Sequence, residues 1–135
     1  RRYGNEVFRD AVQRLTACGI YVIAHMIIGL PNETPEDMEN TLRYMLDCGV
    51  NGVKLQLLHV LTESDLYENW KRGEISTLTL DEYLDILALL VPIIPDNVAV
   101  HRLTGDGSKR TLAAPMWSAD KKHVLNAVRQ RLGLK

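Results

Sequence analysis

Two kinds of apolar pattern alternate along this chain: stripes at three-and-four spacing, and short continuous runs. Between Asn5 and Cys18, the positions Phe8, Ala11, Val12, Leu15 and Cys18 mark one side of an amphipathic helix, and Gly19 follows where helices stop. Tyr21–Leu30 (YVIAHMIIGL) is nearly all apolar and rich in β-branched residues. Such a run predicts a strand buried on both faces, as in a parallel sheet. Gly29-Leu30-Pro31-Asn32 is turn chemistry, and Thr34-Pro35-Glu36-Asp37 opens a second helix with Thr34 as N-cap and Pro35 in the first turn. Met38, Leu42, Met45 and Leu46 supply its buried stripe.

Val50–Leu61 is the second apolar run and predicts a second strand. A polar stretch over Thr62–Thr79 follows, with one short helical piece at Ser64–Arg72. It is long enough to be functional or a simple insertion. Leu80, Tyr83, Leu84, Leu87 and Leu90 predict a helix over Thr79–Pro92. Val98–Leu103 predicts the third strand, Thr104–Ala119 an irregular segment, and Asp120–Leu132 the last helix. A helix followed by three strand–helix units means right-handed crossovers and a parallel α/β sheet. Three units cannot close a barrel, so the expectation is a small open α/β domain or one half of a β/α barrel.

Composition narrows the class. The chain has 135 residues, 46% of them apolar, and a formal charge of −1, which excludes disordered and low-complexity classes. Its longest apolar runs stop near a dozen residues, short of the ~20 that a membrane helix needs. Two cysteines, Cys18 and Cys48, rule out a disulfide framework and fit a cytoplasmic protein. They are thirty residues apart and are read as small buried apolar side chains rather than metal ligands. The opening Arg1-Arg2-Tyr3-Gly4 is neither an initiator nor a signal peptide, and suggests a piece of something longer.

Charge is unevenly spread. Glu33–Asp96 holds 13 acids and 4 bases, whereas Asp106–Lys135 holds 7 bases and 2 acids. The basic end is either a set of solvated helix faces or a surface for a polyanion such as RNA.

In parallel α/β sheets chemistry collects where the strands end. His25 lies inside the first predicted strand, and Gly29–Thr34 follows it. Gln56 and His59 fall in and near the end of the second, and His101, Arg102, Thr104, Gly105 and Asp106 at the end of the third. Polar side chains within apolar strands need partners when buried. His25 is a ligand contact or a core histidine bonded to a carbonyl. Glu33 is a site residue or a first-turn acid. His101 and Arg102 line a cavity or pair with Asp106. No GxGxxG, P-loop, zinc-helix or CxxC-type cluster is present.

Four strings in order carry a family resemblance. HMIIGLPNET (25–34) resembles the GLPGET strand end of radical S-adenosylmethionine (radical SAM) enzymes, with Asn32 where the second Gly usually stands. VKLQLLHVL (53–61), HRLTGD (101–106) and LAAPMW (112–117), the last followed by KHVLN (122–126), resemble further signatures of the YhcC/YtqA-like group of Fe–S oxidoreductases.

The resemblance implies a partial (β/α)6 barrel of which residues 1–135 form the C-terminal half, with three parallel strands alternating with helices. It implies a full-length parent that uses S-adenosylmethionine and a [4Fe–4S] cluster. That parent would cleave S-adenosylmethionine to a 5′-deoxyadenosyl radical for hydrogen abstraction, with tRNA wobble uridine as the substrate. The family's CxxxCxxC loop has no counterpart here, and a thiolate-held cluster needs closely spaced cysteines. The chain alone is therefore expected to be inactive, to hold no metal and to bind no cofactor tightly.

Residue by residue, His25 matches the position that reaches the S-adenosylmethionine ribose. Gly29, Pro31, Glu33 and Gln56 fall in the cofactor-binding set, and His59, His101, Arg102 and Asp106 in the substrate set. Strand alternation forbids His101 and Arg102 from both facing inward. Arg102 is preferred for an anionic group, with His101 as the rival. The expected partners are the missing N-terminal half of the barrel, tRNA, and further copies of the chain in a homodimer or larger species that covers exposed edges. Two other classes remain: a non-catalytic α/β module binding RNA or protein through the basic C-terminal face, and a small-molecule enzyme of another α/β type.

Overall fold

A computed structural model describes residues 5–103 and 110–133. The elements in chain order are α1 (Asn5–Ala17), β1 (Ile23–Ile28), α2 (Pro35–Asp47), β2 (Gly52–Leu57), β3 (Val60–Leu61), α3 (Leu66–Lys71), α4 (Leu80–Leu90), β4 (Ala99–Arg102), β5 (Leu112–Ala114) and α5 (Lys121–Leu132). Single 3₁₀ turns follow α4 at Val91–Ile93 and β5 at Met116–Ala119. β1, β2 and β4 form a parallel sheet with β2 in the middle, so the α/β architecture with three parallel strands is the one the sequence predicts.

Local chemistry sets the helix starts. Thr34 Oγ1 accepts from the Asp37 N–H at 3.1 Å, and the Asp37 carboxylate accepts from the Thr34 N–H at 2.9 Å. Thr79 and Glu82 repeat this reciprocal cap at α4. Each closes two backbone donors that a helix start leaves open. Asp120 accepts from the His123 N–H at α5, and Gly133 ends that helix.

The core lies on one face of the sheet. Ala24, Met26 and Ile28 of β1 and Val53, Leu55 and Leu57 of β2 point into it, alternating with residues on the other face. Met38, Leu42 and Met45 of α2, Tyr83, Ile86, Leu87 and Leu90 of α4, and Val124 and Val128 of α5 cover them. Among the described residues nothing covers the opposite face. His25 and Ile27 are exposed there, which corrects the expectation that this run is buried on both sides. The run is apolar throughout, yet helices pack on one side only.

Three further expectations are corrected. The apolar run over 50–61 is not one strand. β2 ends at Leu57, the Leu58 N–H donates to the Ile28 carbonyl, and β3 leaves to pair antiparallel with β5. Residues 112–119, read as irregular, contain β5 and a 3₁₀ turn. The Trp117 indole N–H fixes this turn by donating to the Leu78 carbonyl at 2.9 Å. Finally, Ala11, Leu15 and Cys18 of the first apolar stripe are exposed, because α1 meets the core mainly through Val12. It leans instead on α2, with Phe8 against Tyr44, Arg9 paired to Asp47 and the Tyr44 hydroxyl donating to the Asn5 carbonyl.

Candidate ligand-binding site

The turn that leaves β1 is built from two positive-φ residues. Gly29 has φ +95°, and a Cβ there would stand 3.1 Å from Leu78, so both backbone and space call for glycine. Asn32 has φ +66°, the left-handed region that Asn tolerates best after Gly. The Asn-for-Gly departure in the GLPxET string therefore leaves a turn of the same hand. Gly29, Pro31 and Glu33 line a cavity of about 210 Å³ closed from the far side by Glu74, Ile75 and Leu78.

A larger cavity, about 570 Å³, runs along the edge of β1. His25, Ile27 and Glu33 line it, facing Asn40 and Tyr44 of α2 and Phe8 of α1. Glu33 borders both cavities and so links the turn to the strand edge.

Cross-strand register fixes what lies beside His25 on the open face. His25 pairs with Lys54, and Ile27 with Gln56, so Gln56 sits one rung nearer the strand ends. His25, Lys54 and Gln56 thus form one polar group beside the Gly29–Thr34 turn. Lys54 is absent from the residues singled out in the sequence. The signal was there, because it shares the parity of Gln56 within an otherwise apolar strand.

The remaining expected residues are not gathered with this group. His59 is half-buried between β2 and β3, beyond the point where the chain leaves the main sheet. His101 lies on the same open face but near the start of β2, away from the Gly29–Thr34 turn. Its ring lies over Gly52, the first residue of β2, where a Cβ would come within 2.7 Å of two ring atoms. Tyr21, just before β1, meets it edge-on, and the Tyr21 hydroxyl donates to the Asn51 carbonyl at 3.2 Å. The register between β2 and β4 shifts at Val53/Lys54, so strict alternation does not decide between His101 and Arg102. Asp106 and the side chain of Arg102 lie outside the described residues.

The donor set tests the implied cofactors. Cys18 is exposed after α1 and Cys48 is buried at the end of α2. Among the described residues no group of three His, Cys, Asp or Glu side chains could hold a metal ion. A thiolate-held cluster therefore does not fit these residues. A nucleoside-type ligand does fit. The 570 Å³ cavity is within the range of small-molecule sites, and an imidazole, an ammonium and a carboxamide lie beside it or on the same face. No helix among the described residues is long and apolar enough to cross a membrane.

The family described as the Radical_SAM C-terminal domain matches residues 50–133. YtqA of Bacillus subtilis is 34% identical over 98% of this chain, and YhcC of Escherichia coli K12 is 30% identical over 76% of it. The chain spans 41% of the length of the first and 33% of the second. A solved structure of archaeal Elp3 from Methanocaldococcus infernus, with an N-terminal deletion, superposes with a TM-score of 0.77. That match covers 98% of this chain and 32% of that one at 22% identity, and so speaks for the fold. With 84 residues of the chain matched, from β2 through α5, this protein belongs to the radical SAM family and carries its C-terminal domain.

Proposed function

We propose that this chain is the ligand-side C-terminal half of a longer radical SAM enzyme, and that its open sheet face forms one wall of the S-adenosylmethionine site. The observation that carries this reading is the polar group His25–Gln56, placed beside the Gly29–Thr34 turn on the one uncovered face of the parallel sheet. The chain's share of YtqA and YhcC supports a parent with an upstream half that supplies the CxxxCxxC loop. Bound there, S-adenosylmethionine would accept one electron from the parent's reduced cluster and give methionine and a 5′-deoxyadenosyl radical for hydrogen abstraction. This chain's residues bind and orient the nucleoside. The His25 imidazole would hydrogen-bond a ribose hydroxyl, and the Gly29–Glu33 turn would pack beside the adenosine. The substrate is the tRNA wobble uridine.

His25→Ala in the full-length parent should weaken S-adenosylmethionine binding about tenfold, the loss of one well-placed hydrogen bond. Equilibrium dialysis with unchanged affinity would remove the ribose role. Mass spectrometry of tRNA nucleosides from cells lacking the gene should show the wobble uridine short of its side chain. An unaltered nucleoside profile rules that substrate out.

One observation favours a second reading, a module that binds RNA through its last helix. α5 has four bases and no acid, and Lys122 and Arg129 are exposed on it without an ion-pair partner among the described residues. Under that reading the isolated chain binds RNA and the parent forms no 5′-deoxyadenosine.

A further inference from the structure

Asn51 is the only asparagine in the chain that stands before a glycine, and the pair opens the central strand. Asparagine before glycine is the dipeptide most open to deamidation, because a following residue without a Cβ lets its nitrogen close on the side-chain amide. The fold holds this pair in a tight junction. The Asn51 N–H donates to the Val22 carbonyl at 2.8 Å, and the Gly52 N–H donates to the same carbonyl at 3.2 Å. Asn51 Oδ1 accepts from the Val22 N–H at 2.8 Å. The Asn51 carbonyl accepts from the Ala99 N–H at 3.0 Å and from the Tyr21 hydroxyl at 3.2 Å. One residue thus ties together the entries of β1, β2 and β4, and Gly52 is buried under the His101 ring.

We infer that Asn51-Gly52 is a deamidation site that the folded sheet holds shut. In the reaction the Gly52 nitrogen attacks Asn51 Cγ. A bond forms between them, the Cγ–Nδ2 bond breaks, and ammonia leaves with the Gly52 proton. Water from solvent then opens the succinimide to aspartate or isoaspartate, and nothing is oxidised or reduced. The attack needs a free Gly52 N–H and a side chain turned toward it. In the folded chain the Gly52 N–H is committed to Val22, and the Asn51 carboxamide is held on the entry to β1. Reaction therefore waits for β1 and β2 to part at this end, and its rate follows the population of that open state. Isoaspartate inserts an extra methylene into the main chain just before the residue that pairs with Ile23 and Ala99. That product cannot rebuild the junction, so it marks a chain that has opened. The site lies at the end of the sheet away from the Gly29–Thr34 turn, and nothing in it depends on the ligand-face reading.

The test is peptide mapping by mass spectrometry after parallel incubation of the whole chain at mildly alkaline pH, without urea and in enough urea to unfold it. Conversion of Asn51 should be at least about tenfold faster in urea, with intermediate rates as urea nears the unfolding midpoint. Chains carrying isoaspartate at position 51, separated by chromatography and returned to buffer, should unfold at lower urea than chains that keep Asn51. A rate in the folded chain within about tenfold of the unfolded one would mean that the fold does not hold the site shut. An Asn51 that survives in urea would mean that it is no deamidation site. Either result overturns the inference. Matching unfolding midpoints for the two forms would overturn the claim that the product cannot rebuild the junction.

Discussion

Single side chains fix the ends of this sheet. The Tyr83 hydroxyl, in a fully buried side chain, donates to the Leu103 carbonyl and ties α4 to the exit of β4. Tyr83→Phe leaves that carbonyl without its donor and should cost about 1–3 kcal/mol in urea unfolding. Burial also pushes the Tyr83 hydroxyl well above the usual tyrosine range. The folded state therefore holds this proton after the unfolded chain has released it. Stability should fall as pH rises above about 10, and this part of the fall should vanish in Tyr83→Phe. Asn32, at φ +66°, gives a second residue-level test. Asn32→Val should lower stability by about 1–2 kcal/mol, whereas Asn32→Gly should leave it near the original value. The sequence showed Asn32 where the GLPxET string usually has a glycine, but whether that exchange alters the turn was not legible before its φ of +66° was known. The His101–Gly52–Tyr21 contact was not legible, because it depends on a register shift that no local pattern announces.

Elements were read best where start signals and periodicity agree. Thr34-Pro35 and Thr79 open α2 and α4 at the expected residues, and Asp120 opens α5, because capping is a short-range matter of side chain and backbone. Either Thr34→Ala or Thr79→Ala should cost about 1 kcal/mol in thermal or urea unfolding, by loss of one half of a reciprocal cap. The misses came from long-range pairing. An apolar run such as 50–61 can be one long strand or two short ones, and only the contact of Val60 and Leu61 with Ala114 and Leu112 decides it. Apolar spacing in α1 likewise shows a face, but not whether anything covers it. Leu15 is 40% exposed, and Ala11 and Cys18 are exposed with it, so that stripe is mostly uncovered among the described residues.

At the scale of the molecule, the open face is the feature that needs explaining. All the core helices pack on one side of the sheet, and Tyr21 and Ile27 are left exposed at or near the other. An uncovered strand edge and apolar surface of this kind invite association. Sedimentation of the isolated chain at high concentration should therefore show a dimer or larger species. A stable monomer would mean that the face is tolerated bare. The α/β architecture with three parallel strands was legible from the strand–helix rhythm, and the family from four strings. The site was legible only in part. His25 and Gln56 lie together by the turn, whereas His59 and His101 do not join them, and Lys54 does.

The central claim is that these residues form the ligand side of a radical SAM enzyme whose cluster is held upstream. The most direct measurement is anaerobic reconstitution of the full-length parent with iron and sulfide, followed by reduction and quantification of 5′-deoxyadenosine from S-adenosylmethionine. The account predicts 5′-deoxyadenosine from the parent, a marked loss with His25→Ala, and none from residues 1–135 alone. A parent that carries a reducible cluster yet forms no 5′-deoxyadenosine would contradict it.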